Sequence, residues 1–174
     1  MYGYQKHKVF ISFYHHDDQQ YKNYIDRNLS GNIINKSVIP GEYDPDDSDE
    51  YIKRLIREDK ISDSSVIVVL VGNNTKNRKH VDWEIYAGLR ASINGNAGLI
   101  GIMLPSVSKT FDGKYSYDDM PARLADNLKT NYAYLYDWDT AVNYFDSIIE
   151  EAFQSRISRR NLIDNSRPQM KYNR

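Results

Sequence analysis

Glu84 is the residue whose type and surroundings best suit chemistry. It follows a polar loop (Gly72, Asn73, Asn74, Thr75, Asn77) that leaves the six-residue apolar run 66–71. On a helix starting near Val81, the residues three, four and seven positions past Glu84 are Ala87, Gly88 and Ala91, so the acid shares its face with small side chains. Val81, Ile85 and Leu89 form a separate stripe suited to packing on a sheet. Small neighbours let another group approach closely, and a first-turn position keeps a carboxylate ionised and forward-facing. An acid in a first turn is equally ordinary compensation of the helix dipole. The pattern alone leaves both readings standing.

Other residues with chemical potential are scattered. The histidines are His7, His15, His16 and His80. Zinc held by His15, His16, His80 and an aspartate is disfavoured, because adjacent histidines point apart and no HExxH-like spacing occurs. No metal is expected, and His80 remains a candidate general base. Phe13, Tyr14 and Trp83 are candidates for stacking an aromatic ring, or are core aromatics. The acidic run Asp44, Asp46, Asp47, Asp49, Glu50 lacks the calcium-loop pattern. It reads as a helix start, with Asp47 and Glu50 at capping-box spacing.

These residues need elements to hold them. Residues 66–71 are apolar without alternation, as in a strand buried on both faces. Further strands are expected at 8–13, 33–39, 97–104 and 132–136, with a turn at Pro40-Gly41. Helices are expected at 19–29, from the acidic run through Ile52, Leu55 and Ile56, around Glu84, at 121–127 and at 140–157. Strand and helix alternate, so the expected fold class is a single α/β domain of three layers: a parallel five-stranded sheet with helices on both faces. Ligands of such sheets bind outside the carboxyl ends of the strands, where the loops at 12–17 and 72–77 lie. No GxGxxG follows the first strand and no GxxxxGK[ST] occurs. A receiver-type domain would need paired acids directly after the first strand and a late lysine where Pro105 stands.

At 174 residues the chain suits one domain. There is no cysteine, which removes disulfides and thiolate catalysis. The net charge of -1 argues against nucleic acid or an anionic membrane as main partner. Residues 151–174 carry six Arg/Lys against two Asp/Glu, and periodicity ends near Ser158. A lead-in at 1–7, a domain at 8–157 and a basic, flexible tail at 158–174 are expected. No signal-peptide pattern or long apolar segment appears, so a cytoplasmic protein is expected.

KVFISFYHHDD, DSSVIVVLVGNNTKNRKHVDWEIYAGL, MPARLADNLKTNYAYLYDW and the closing helix carry a family signal. The chain resembles the TIR-like proteins of the ThsB group of bacterial Thoeris anti-phage defence. The central piece is the specific one. The resemblance implies a flavodoxin-like or TIR-like sheet and an NAD+ glycohydrolase or cyclase, with NAD+ as substrate and no cofactor. It implies Glu84 as the catalytic acid on the nicotinamide-side ribose. Ser12, Phe13, Tyr14, Asp17, Asp47, Gly72, Asn73, Asn74, Thr75, His80 and Trp83 would line the substrate pocket by analogy. The implied product is a cyclic ADP-ribose isomer that reaches a separate effector, after a phage-derived trigger or homo-oligomer assembly. Relatives commonly carry tryptophan four residues before the glutamate. Here His80 stands there and the tryptophan is Trp83, about 100° around the helix. The competing reading is a non-catalytic TIR-like adaptor or oligomerising module.

Overall fold

The computed structural model describes residues 6–36, 47–90 and 95–174, the side chain of residue 59 excepted. Five strands, β1 (His7–Ser12), β2 (Ile33–Lys36), β3 (Val66–Val71), β4 (Gly98–Met103) and β5 (Tyr134–Asp137), form one sheet in the order β2-β1-β3-β4-β5. Every pairing is parallel. The helices are α1 (His15–Asn28), α2 (Asp49–Leu55), α3 (Lys79–Leu89), α4 (Ala122–Lys129) and α5 (Trp138–Ser158). The strand order reverses between β1 and β3, and the expected three-layer α/β class is what the chain adopts.

The side-chain period of two divides the core. Val9, Ile11 and Phe13, with Val66, Val68 and Leu70, face α1 and α5 through Ile25, Phe145 and Ile148. Phe10, Ile67, Val69 and Val71 face the other way, onto Ile52 of α2, Val81, Ile85 and Leu89 of α3, and Leu124 of α4. All six residues of β3 and of β4 are buried. Gly98 permits the approach of α5: a Cβ there would stand 2.6 Å from the Ala152 carbonyl oxygen.

Several boundaries differ from expectation. The cap of α2 is Ser48, whose hydroxyl accepts from the Tyr51 backbone N–H at 3.2 Å, so Asp47 and Glu50 do not form a capping box. The serine hydroxyl is as good an acceptor and sits one residue nearer the helix. α2 then runs into a π-helical turn, Ile56–Ile61. β2 is described to Lys36; the Pro40-Gly41 turn, Asp44 and Asp46 lie outside the described residues. α5 begins two residues earlier than expected, capped by the Asp137 carboxylate accepting from Thr140 N–H at 2.9 Å, and is kinked at Tyr144.

The largest difference is the tail. Residues 158–174 are not a loose terminus but run back across α4 and α3. Leu162 and Ile163 pack against the core. Beyond them Asn165 accepts from Arg123, the Pro168 carbonyl accepts from Arg123, and the Met170 carbonyl accepts from Trp83 Nε1 at 2.8 Å. Polar bonds to backbone groups hold this strap, which is why no apolar periodicity announces it.

Candidate active site

The carboxyl ends of β1 and β3 adjoin where the strand order reverses, the position at which open parallel sheets leave a crevice. Ser12 ends β1 and lies opposite Val69 in the register. Alternation turns it, with Phe10, toward α3. It is 1% exposed, and its Oγ makes no hydrogen bond of regular geometry.

Glu84 meets Ser12 from α3. That helix begins at Lys79, two residues before the expected start, so Glu84 is in the second turn rather than the first. It is 5% exposed. Burial pushes its carboxyl up to about 8, and the nearby Ser12 hydroxyl offsets this only slightly. The expected forward-facing first-turn acid is instead a buried second-turn one, and burial favours its protonated form. The small-residue face is also used differently, because Gly88 packs on the sheet, where a Cβ would stand 2.5 Å from Ile67 Cγ1.

The loop after β3 is built around one hydroxyl. Thr75 Oγ1 accepts from Gly72 N–H at 2.8 Å and donates to the Leu70 carbonyl at 3.3 Å. Asn74 extends to the rim, donating to Asp17 Oδ2 at 2.7 Å, and Asn73 is exposed. Hydrogen bonds from Asn74 and then His16 hold Asp17 below the usual carboxylate range.

Asp18, the next residue, turns inward over Gly72. It is 4% exposed, and its Oδ2 has no hydrogen-bond partner of regular geometry. Burial, then the charge of Asp17, raises it to about 6, with the Thr75 hydroxyl opposing. The sequence pattern does not separate Asp18 from Asp17; only the start of α1 at His15 decides which of them faces inward.

His80 is half-buried on the turn of α3 that precedes Glu84. Burial, then Lys79 and Arg78, lowers it to about 4, so it is neutral and a weak base. His15 is also lowered by burial and lies close enough to act on His80, whereas His16 is exposed and bonded to Asp17. Among the described residues no group of histidines and acids is arranged to hold a metal ion. Tyr14 caps α1 at the rim, with the Arg78 guanidinium 4.4 Å from its ring centroid. Arg78, Lys76 and Lys79 line this edge together with acids: Lys76 pairs with Asp119 at 3.6 Å and Lys79 with Asp49.

Three expected pocket residues are placed elsewhere. Phe13 faces the α1 and α5 layer, opposite to Ser12, because neighbours on a strand point to opposite faces. Trp83 is buried in the core between α2 and the strap, with Lys53 5.0 Å and Lys79 5.2 Å from its ring centroid. Asp47 precedes the α2 cap; the tie from α2 to this rim is Asp49, which accepts from Lys79 Nζ at 3.0 Å. The site thus gathers Ser12, Tyr14, Asp17, Gly72, Asn74, Thr75, His80 and Glu84, and adds Asp18.

A feature absent from the sequence reading lies behind α3. Asp82 and Arg123 form a buried ion pair, with Arg123 Nε donating to Asp82 Oδ1 at 2.8 Å.

Glu84 is thus a buried acid at the carboxyl edge of a parallel sheet, the rim at which such folds bind ligands. No helix among the described residues is long and apolar enough to cross a membrane. Comparison with curated proteins finds no match. Residues 10–109, which hold β1 from its fourth residue through β4 and with it every residue of this site, match the family described as Thoeris protein ThsB, TIR-like domain. That span is more than half of the 174 residues, and the chain belongs to this family of Thoeris-type TIR domains.

Proposed function

We propose that the chain is an NAD+ glycohydrolase or cyclase with Glu84 as its catalytic acid. The observation that carries this reading is the burial of Glu84 against Ser12 at the β1/β3 crevice. Burial favours the neutral acid in the free protein, so binding of the cationic substrate releases the Glu84 proton to water and leaves the carboxylate. A bound nicotinamide riboside cation favours the carboxylate, and the developing oxocarbenium favours it more, since the interaction grows in a dry site. The glycosidic C–N bond breaks, its electron pair passes to the nicotinamide nitrogen, and neutral nicotinamide leaves. Capture of the ribosyl cation by a hydroxyl of the same molecule gives a cyclic ADP-ribose isomer; capture by water gives ADP-ribose. The cyclic product is the diffusible signal to a separate effector. Arg78 and Lys76 are the rim cations that would meet the diphosphate, Lys76 by leaving Asp119.

Chromatography of nicotinamide released from NAD+ tests this. Glu84→Gln keeps shape and burial, and release falls by a factor of at least about 100, as for loss of a transition-state interaction. Equal release from both proteins removes Glu84 from the chemistry. The near-complete burial of Ser12 and Glu84 favours one second reading, a TIR-like assembly module that is closed until a phage-derived trigger acts. Absence of release from the wild type even in phage-infected extract selects it.

A further inference from the structure

We infer that the C-terminal strap, residues 165–174, is the positioning element for Glu84, setting both the rotation and the axial seat of α3. The inference rests on the role proposed for Glu84. One residue of the strap reaches two consecutive side chains just before the acid. The Met170 N–H donates to Asp82 Oδ2 at 2.8 Å, and the Met170 carbonyl accepts from Trp83 Nε1 at 2.8 Å. Arg123 completes the hold on Asp82 and is itself bound by the Asn165 side chain at 3.0 Å and the Pro168 carbonyl at 3.2 Å. Consecutive helix residues project about 100° apart, so fixing the directions of 82 and 83 fixes that of 84.

The strap also seats the amino end of α3. Asn173 Oδ1 accepts from the Lys79 backbone N–H at 2.9 Å, taking up a donor that the helix leaves open. The Arg174 N–H donates to the Asn77 carbonyl at 2.9 Å, in the turn that follows Thr75. Rotation and translation of α3 are therefore both tied to one ten-residue segment. It lies outside residues 10–109, the span matched to the family. Side-chain ends lie roughly 5–6 Å from a helix axis, so a rotation of about 10° moves the Glu84 carboxyl by about 1 Å. A displacement of that size costs on the order of 100-fold in rate when a group must meet a reacting centre.

The test uses the full chain with Trp83→Phe and Asn173→Ala together. The first keeps an aromatic side chain but removes the Nε1 donor with the five-membered ring; the second removes the acceptor at Lys79. Nicotinamide release is measured against NAD+ concentration and pH, alongside 13C titration of the Glu84 side chain. The expected result is a kcat lower by about 10- to 100-fold with KM within about threefold, since orientation rather than binding is lost. The Glu84 midpoint also moves down toward the ordinary carboxylate range as water reaches a loosened helix. Unchanged kcat and midpoint, with faster amide exchange along α3, would make the strap a stabilising segment only and overturn the inference. If the wild type releases no nicotinamide even in phage-infected extract, the role proposed for Glu84 fails, while an unaltered 13C midpoint separately rejects positioning. Should the double variant fail to fold, Asn173→Ala alone carries the same readouts.

Discussion

Gly72 and Asp18 leave no room for a side chain between them: a Cβ on Gly72 would stand 2.7 Å from Asp18 Oδ1 and closer still to Oδ2. The glycine that ends the central apolar run is thus required by an acid packed over the strand end. Gly72→Ala must push the Asp18 carboxylate from its buried seat, with the Thr75 turn pinned beneath it. A loss of roughly 1–3 kcal/mol, typical of overpacking, is expected in urea unfolding. Unfolding at the wild-type denaturant midpoint would show that Asp18 yields freely.

Asp18 and Glu84 both have raised values in the folded chain, about 6 and about 8. At these two groups the folded protein holds protons that the unfolded chain has released, so their contributions to stability fall as pH rises, while the lowered His80 acts in the opposite direction below about pH 6.5. The Asp18 contribution is lost from about pH 4 to 6 and the Glu84 contribution from about pH 4.5 to 8. Glu84→Gln removes the second loss. Its urea stability should exceed that of the wild type at pH 8 by a few kcal/mol, on the order expected for a fully buried carboxyl, and converge toward it near pH 4. Parallel pH curves for the two proteins count against a buried, protonated Glu84.

The Asp82–Arg123 pair is the costliest polar contact to break. Arg123 is fully buried, so Arg123→Leu leaves the Asp82 carboxylate without its cation in the core. A destabilisation of about 3–5 kcal/mol is expected. Thermal and urea unfolding measure it, and a loss under about 1 kcal/mol would mean that Asp82 is readily resolvated.

The sheet and much of the rim were legible from the residues. Contiguous apolar runs such as Val66–Val71 occur where both faces of a strand are covered, and β3 is covered on both. The period of two carried more than was drawn from it: if Ser12 faces Glu84, Phe13 must face away. Trp83 was misplaced for a related reason, since a helix turns it about 100° from the acid it precedes. The protonation of Glu84 was not legible, because it depends on how deeply α3 seats against β1. The strap was not legible either. Many of its contacts use a backbone N–H or C=O, as at Pro168, Met170 and Arg174, and such groups leave no apolar period in the sequence.

The path of the strap also bears on how the protein is handled. Arg174 is bonded beside the Thr75–Asn77 turn, at the mouth of the candidate site. An affinity tag fused after Arg174 would emerge there and strain the bonds at Asn77 and Lys79. A preparation tagged after Arg174 that releases no nicotinamide therefore reports on the tag before it reports on Glu84.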